Sequence, residues 1–312
     1  MKVIEVKNLV KRYGDLIALN HLDLVVEEGE ILGLLGPNGS GKTTAIHCIL
    51  SLLKFDHGEI NVFETPMNPN AFEIKKQIGF VMQNIGVFDE LTVYENIDYF
   101  CGLYISNRKD RKQLVEEAID FVELQDFRKF YPKKLSGGLL RRLNIACGIA
   151  HKPRLLILDE PTVAVDPQSR NNILEGIKRL NQEGTTVLYT SHYMEEVEQL
   201  CDRIVIIDKG RQIAVGSKEE LISLSSANEK IGFEIYEFDS THIQSIMKIK
   251  NVHDVTYRHN ELLVYCKENC LKDILIFLEQ NNIIYNRVYS ERPSLNDLFL
   301  EFTGKQLRDQ VE

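Results

Sequence analysis

Gly36-Pro-Asn-Gly-Ser-Gly-Lys-Thr43 is the stretch from which the rest of this chain is read. It fits G-x-x-x-x-G-K-[ST], a glycine-rich loop that cradles phosphate groups. The apolar run 31–35 (ILGLL) precedes it and the helical run 43–53 (TTAIHCILSLL) follows. Strand, loop and helix in that order is the context the pattern requires, and it argues against a chance glycine turn. Gly36, Gly39 and Gly41 permit backbone angles and close approaches that a side chain would block. The loop N–H groups then point inward at phosphate oxygens, reinforced by the helix N-terminus. Gly36, Pro37, Asn38, Gly39, Ser40, Gly41, Lys42, Thr43 and Thr44 are therefore candidate nucleotide-binding residues. Lys42 is expected on the β- and γ-phosphates, Thr43 on Mg²⁺ and Thr44 on the α-phosphate.

A second element lies at residues 155–160 (LLILDE), an apolar strand ending in two acids. Asp159 is placed to hold the Mg²⁺ shell. Glu160 is placed to orient and deprotonate an attacking water. Many strands end in acids at the surface, so this pattern alone is weak; together with the phosphate loop it is strong.

Between the two lies Leu135-Ser-Gly-Gly138, leading into a helical run over 139–149. Alone it would be an ordinary helix-capping turn. Its order and spacing relative to the other motifs resemble the signature of ABC ATPases. The resemblance implies ATP and Mg²⁺ as cofactors. It also implies a nucleotide-sandwich dimer, with itself or a paralogue, in which Ser136, Gly137 and Gly138 bind the γ-phosphate of ATP held by the other subunit. By the same resemblance Tyr13 stacks on adenine. Gln83 touches Mg²⁺ or water and links the site to a membrane subunit. His192 contacts the γ-phosphate, and Asp166 belongs to a loop crossing the dimer interface. Two positions depart from the family pattern. Leu139 stands where Gln is usual, and Ala164-Val165-Asp166 lacks the usual Leu before Asp. Every group needed for phosphate binding, Mg²⁺ and water activation remains, so hydrolysis is expected.

The fold this implies is α/β: a P-loop NTPase of the ABC type with a helical subdomain, plus a small α+β ferredoxin-like C-terminal domain. Residues 1–222 are read as the ATP-binding domain, with the helical subdomain at about 84–152. Runs 31–35, 155–158, 186–189 and 204–207 are apolar on all sides, as strands buried on both faces are. Segments 111–123 and 169–181 carry helical spacing. The polar, Ser-rich stretch 221–230 (LISLSSANEK) suggests a linker, placed at 223–230. Residues 231–312 form the accessory domain, in the order β-α-β-β-α-β. Its strands are read at 231–235, 252–257, 261–266 and 283–289, and its helices at 241–248 and 271–280. A last helix starts near Pro293-Ser294, where Ser294 and Asp297 have capping-box spacing. The stretch Arg292-Pro-Ser-Leu-Asn-Asp-Leu-Phe-Leu-Glu-Phe-Thr-Gly304 resembles the tail of a subgroup exporting drugs, antibiotics or lipids, including daunorubicin- and bacitracin-resistance ATPases.

Composition narrows the partners. The net charge of −9 disfavours a general attraction to nucleic acid or anionic lipid, and no nucleic acid is expected. Lys133, Lys134, Arg141 and Arg142 form a local basic cluster, read as a solvated face. No stretch approaches the ~20 apolar residues of a membrane-spanning helix. Any membrane path must come from separate transmembrane permease subunits. The opening residues 1–14 read as a strand and a turn rather than a signal peptide. The six cysteines show no CxxC pair and read as reduced thiols. A cytoplasmic protein, peripheral on the inner face of the cell membrane through its permease, is expected. The competing class is a non-transport ABC-type ATPase acting as a regulatory or remodelling switch. Such chains carry two ATPase halves with a basic linker, a long coiled coil or zinc motifs, and none of these is present.

Overall fold

The computed structural model describes residues 1–163 and 165–303. Ala164 of the interface-loop reading, Gly304 of the tail and the rest of 304–312 lie outside the described residues. The chain divides into two compact units, one spanning Met1–Ser217 and the other beginning at Lys218.

The first unit opens with two long strands, β1 (Lys2–Tyr13) and β2 (Leu16–Glu27), then β3 (Ile31–Leu35), the glycine loop and α1 (Lys42–Ile49). Next come β4 (His57–Val62), β5 (Thr65–Pro66), the single turn α2 (Phe72–Lys75) and β6 (Ile78–Val81). Helices α3 (Val93–Gly102), α4 (Arg108–Phe121) and α5 (Gly137–Ile149) lead to β7 (Leu155–Asp159) and α6 (Pro167–Gln182). The unit ends with β8 (Thr186–Ser191), α7 (Met194–Leu200), β9 (Arg203–Asp208) and β10 (Arg211–Gly216).

Two sheets arise from two patterns. In the order β10-β9-β3-β8-β7-β6, the last five strands are parallel and β10 is an antiparallel edge. Their side chains alternate between two cores, which is why they read as apolar throughout. Ile31, Leu156, Leu158 and Val187 face a core shared with α3, α4, α5 and α6. Leu32, Leu34, Leu155, Ile157 and Leu188 face a core shared with α1 and the antiparallel strands. Those strands form the second sheet, β2-β1-β4-β5. Parallel pairing leaves the ends of β3, β6, β7 and β8 along one edge, where crossing loops collect.

The helical segment between β6 and β7 has local causes. Thr92 caps α3 in a capping box with Glu95, and Asn107 caps α4. Arg141 corrects the reading of a solvated basic face. Lys133 and Lys134 are exposed, whereas Arg141 is only 5% exposed and points into the protein. Its place one turn inside α5 sets it on the packed side of that helix.

The second unit runs α8 (Lys218–Ser223), β11 (Glu229–Glu234), α9 (Thr241–Ile246), β12 (Val252–Arg258), β13 (Glu261–Cys266), α10 (Leu271–Gln280), β14 (Val288–Glu291) and α11 (Leu295–Thr303). Its antiparallel sheet has the order β12-β13-β11-β14. With helices after the first and third strands, this is the ferredoxin-like arrangement. Ile231, Phe233 and Ile235 meet Ile246 of α9 and Ile274 and Leu278 of α10 in one core. His259 and Asn260 both take positive φ, as a two-residue hairpin turn between right-twisted strands demands. Ser294 and Asp297 cap α11 reciprocally.

Three readings change here. Residues 221–230 are not plain coil: the stretch begins in α8, whose Leu221 is fully buried, and ends in β11. The last strand lies at Val288–Glu291 rather than 283–289, because Ile283 packs on the core ahead of the segment that pairs with β11. Cys266 and Cys270 are joined in a disulfide, so four of the cysteines, not six, are free thiols. The strand end and the helix start bring the two Cα atoms to 6.5 Å, within disulfide reach. Among the described residues no helix is long and apolar enough to cross a membrane.

Phe233 is a large, fully buried side chain in the core of the second unit. Phe233→Ala is expected to destabilise that unit by about 3–5 kcal/mol through lost burial and a residual cavity. Hydrogen exchange of β11 and β13 amides in the full chain checks this; unchanged protection would contradict the packing described.

Candidate functional site

The glycine loop leaves β3 and turns sharply into α1. Gly39 and Gly41 take φ of 78° and 110°, angles costly for other residues. A Cβ on Gly36 would overlap the Ile207 carbonyl, and one on Gly41 the Ala18 carbonyl. The loop therefore stays tight, with Gly41 at the N-cap of α1. Lys42 is 5% exposed, and its ammonium donates to the carbonyls of Gly36 at 2.8 Å and Pro37 at 3.2 Å. Its third partner is the Glu160 carboxylate at 3.1 Å.

Glu160 is the centre of the constellation. It follows β7 with φ of 48°, an uncommon backbone state for a glutamate. One carboxylate oxygen meets Lys42; the other accepts from His192 Nδ1 at 3.1 Å and Gln83 Nε2 at 3.3 Å. Burial alone would push its carboxyl up. The hydrogen bond from His192 and the Lys42 charge outweigh that and hold it below the ordinary value. Glu160 is thus a buried carboxylate set among donors from three other elements.

Asp159, 1% exposed, is fixed by a hydrogen bond from the Thr190 hydroxyl at 2.7 Å. The same hydroxyl accepts from the Glu160 N–H at 3.0 Å. Thr190 escaped the sequence reading, as did Ser191 and Glu196. The Ser191 hydroxyl accepts from the Tyr193 N–H and donates to buried Glu196, which also receives the Tyr189 hydroxyl. A Thr-Ser pair ending a buried strand just before His192 was the signal available.

A cleft of about 430 Å³ borders these groups, lined by Tyr13, Ile17, Lys42, Thr43, Gln83 and Glu160 among others. Asn38, Gly39, Gly41 and Thr44 also reach it. Tyr13 is half exposed at its rim, with the Lys11 ammonium 5.1 Å over its ring. Thr43 brings a hydroxyl, Asp159 a carboxylate and Gln83 an amide, the oxygen donors that suit Mg²⁺. Among the described residues no group of three His, Cys, Asp or Glu gathers to hold a metal.

The signature residues lie apart from this cleft. Ser136 caps α5 by accepting from the Leu139 N–H at 3.3 Å, and Ser136 and Gly137 are exposed. Gly138 is buried, and a Cβ there would run into Ser169 and approach Asp166. Asp166 is exposed and caps α6 through the Ser169 N–H at 2.9 Å. The structure thus brings together Tyr13, the glycine loop, Gln83, Glu160 and His192. It sets Ser136, Gly137, Gly138 and Asp166 in a second group formed by the N-termini of α5 and α6.

The chain is similar to several known proteins. The family model described as ABC transporter matches residues 19–163. The linearmycin resistance ATP-binding protein of Bacillus subtilis is 38% identical over 311 residues, covering 98% of this chain and 100% of that protein. A Nod factor export ATP-binding protein of Rhizobium meliloti is 34% identical over 309 residues, covering 98% and 89%. Among solved structures, a dimeric post-hydrolysis state of an ATP-binding cassette bound to ADP and Pi is similar with a TM-score of 0.63. It is 28% identical and covers 69% of this chain and 98% of that one. With a phosphate loop, a buried carboxylate beside its lysine and full-length relatives of the resistance and export type, this chain belongs to the family of ABC transporter ATP-binding proteins and is an ATPase.

Proposed function

We propose that this chain drives an exporter of a drug, antibiotic peptide or lipid, working as a dimer beneath separate transmembrane permease subunits. Its place would be the inner face of the cell membrane, held there by the permease. The unit Met1–Ser217 would bind and hydrolyse ATP, and the unit that begins at Lys218 would be an accessory domain. The observation that carries the dimer is the separation of the two groups of site residues. Lys42 and Glu160 line the cleft, while Ser136 and Gly137 are exposed outside it. A two-fold pair of chains would set each signature against the partner's phosphate loop and complete two equal sites. The export reading rests on the names of the relatives and the resemblance of the tail.

In this reading Tyr13 stacks on adenine and the loop from Gly36 to Thr44 holds the phosphates. Thr43, Asp159 and Gln83 would hold Mg²⁺, which when bound neutralises charge on the β- and γ-phosphates. Phosphate oxygens entering the loop compete with Glu160 for the Lys42 ammonium. Each oxygen that takes the ammonium's charge weakens its hold on the carboxylate. Glu160 is then available to accept the proton of an attacking water, with Gln83 and His192 keeping that water and the γ-phosphate in line. Ser136, Gly137 and Gly138 of the partner cap the γ-phosphate, and Asp166 lies at the seam. Loss of that phosphate removes the charge both chains grip, and the interface loosens.

Glu160→Gln keeps the shape and removes the base. ATP binding is expected to persist while turnover falls ~10²–10⁴-fold, and the variant is expected to run as an ATP-dependent dimer on size exclusion. Parental turnover would rule out Glu160 as the base. The shared-site reading is tested by mixing Ser136→Arg with Lys42→Ala chains. Each variant alone holds two half-damaged sites; the mixed dimer holds one wholly intact and one wholly damaged site. Partial recovery of ATPase activity on mixing is expected, and none despite verified mixed dimers counts against a trans role for Ser136.

A further inference from the structure

The loop carrying Gln83 is held by helices rather than by the sheet. Pairing of β6 with β7 ends at Val81. Beyond it, the Arg141 guanidinium donates to the Met82 carbonyl at 3.0 Å and the Gln83 carbonyl at 2.7 Å. Asn144, one turn further along α5, donates to the Met82 carbonyl at 3.4 Å and accepts from the Gly86 N–H at 3.1 Å. Asn96 of α3 grips the far end through both backbone groups of Phe88. The side chains of Met82, Gln83 and Asn84 are exposed, so where Gln83 stands depends on how its backbone is held.

Arg141 is an expensive residue for this task if only stability were at issue. It is 5% exposed, and among the described residues it makes no ion pair and its Nε has no partner. A buried charge satisfied only by carbonyls is poor value for stability beside a well-packed apolar side chain. What the guanidinium does supply is a planar fork that fixes two successive carbonyls together. The helix bearing it is the one whose N-cap is Ser136.

We propose that Arg141, seconded by Asn144, is a positioning residue that locks the Gln83 loop to the signature helix. Gln83 then moves with Ser136 as one body. When Ser136 engages the partner's ATP, the orientation of α5 sets whether the Gln83 amide reaches Glu160 and the water beside it. Occupancy of one composite site thereby tunes the catalytic group of the other, through a contiguous set of hydrogen bonds within one chain. The proposal rests on the role given to Gln83 above.

The test is steady-state ATPase of the full chain for Gln83→Ala, Arg141→Lys, Arg141→Gln and the Gln83→Ala/Arg141→Gln double variant, with nucleotide affinity measured alongside. For Arg141→Gln, kcat is expected to fall ~10–100-fold, the scale of a misplaced reacting group. KM and ATP affinity are expected to stay within about twofold, since the phosphate loop is untouched. Arg141→Lys, which reaches one carbonyl but not both, is expected to fall between. The double variant is expected to be no slower than the slower single one, because both act through one amide. Losses that multiply in the double variant, or a weakened ATP affinity with unchanged kcat, would overturn the positioning role. A slow Gln83→Ala beside a parental Arg141→Gln would sink this inference alone, whereas a parental Gln83→Ala would remove the assignment of Gln83 and the inference with it. Should Arg141→Gln not fold, Asn144→Ala, which removes two of the four links from α5 to the loop, carries the same expectations and the same refutations.

Discussion

The Lys42 ammonium and the Glu160 carboxylate lie 3.1 Å apart with both side chains almost sealed from water. In so dry a place neither charge is tolerable alone. The surroundings answer this with partners for both: two loop carbonyls on the lysine, His192 and Gln83 on the glutamate. Each of these groups arrives on a different element. Lys42 starts α1, Glu160 follows β7, His192 follows β8 and Gln83 follows β6. Parallel strands are the means by which four such loops end at one edge. The apolar runs that build those strands are thus as necessary to the site as the charged residues it displays.

The two buried cores serve the same constraint. A strand that delivers a charged loop must itself be immovable, and strands covered on both faces are. Leu158 packs toward the helices and Ile157 toward α1, and the acids come directly after them. Thr190 then converts the fixed position of β8 into a fixed orientation of Asp159 and Glu160, one hydroxyl serving both. A polar residue in a wholly buried strand is affordable there because both its donor and its acceptor capacity are used.

What was legible in the sequence was whatever is contiguous. The glycine loop, the Asp159-Glu160 strand end and Ser136-Gly137-Gly138 each carry their chemistry within a few neighbouring residues. Their flanking periodicity places them on a strand end or a helix start. Thr190 and Glu196 were not legible, because inside an apolar pattern a lone hydroxyl or carboxylate gives no hint of the partner it meets. Arg141 misled for a related reason. It sits among Lys133, Lys134 and Arg142, and charge clustering in sequence says nothing about which side of a helix each residue takes. The last strand starts later than the apolar pattern suggests, because Ile283 and Tyr285 look like strand residues yet pack on the core from a loop. The Cys266–Cys270 pair is invisible to spacing rules, since its proximity comes from a strand ending where a helix begins.

The second group of residues shows why the two halves of the chemistry need not share a surface. Gly138 has no room for a side chain because Ser169 and Asp166 press against it. The N-termini of α5 and α6 are therefore in contact. Ser136 and Asp166 cap these helices with their own side chains. A helix start that is partly capped still attracts an anion, and two of them side by side do so from neighbouring directions. Within one chain the cleft of Lys42 is elsewhere. The close packing at Gly138 leaves the two helix starts no room to approach further, so the places of Ser136 and Asp166 are set together.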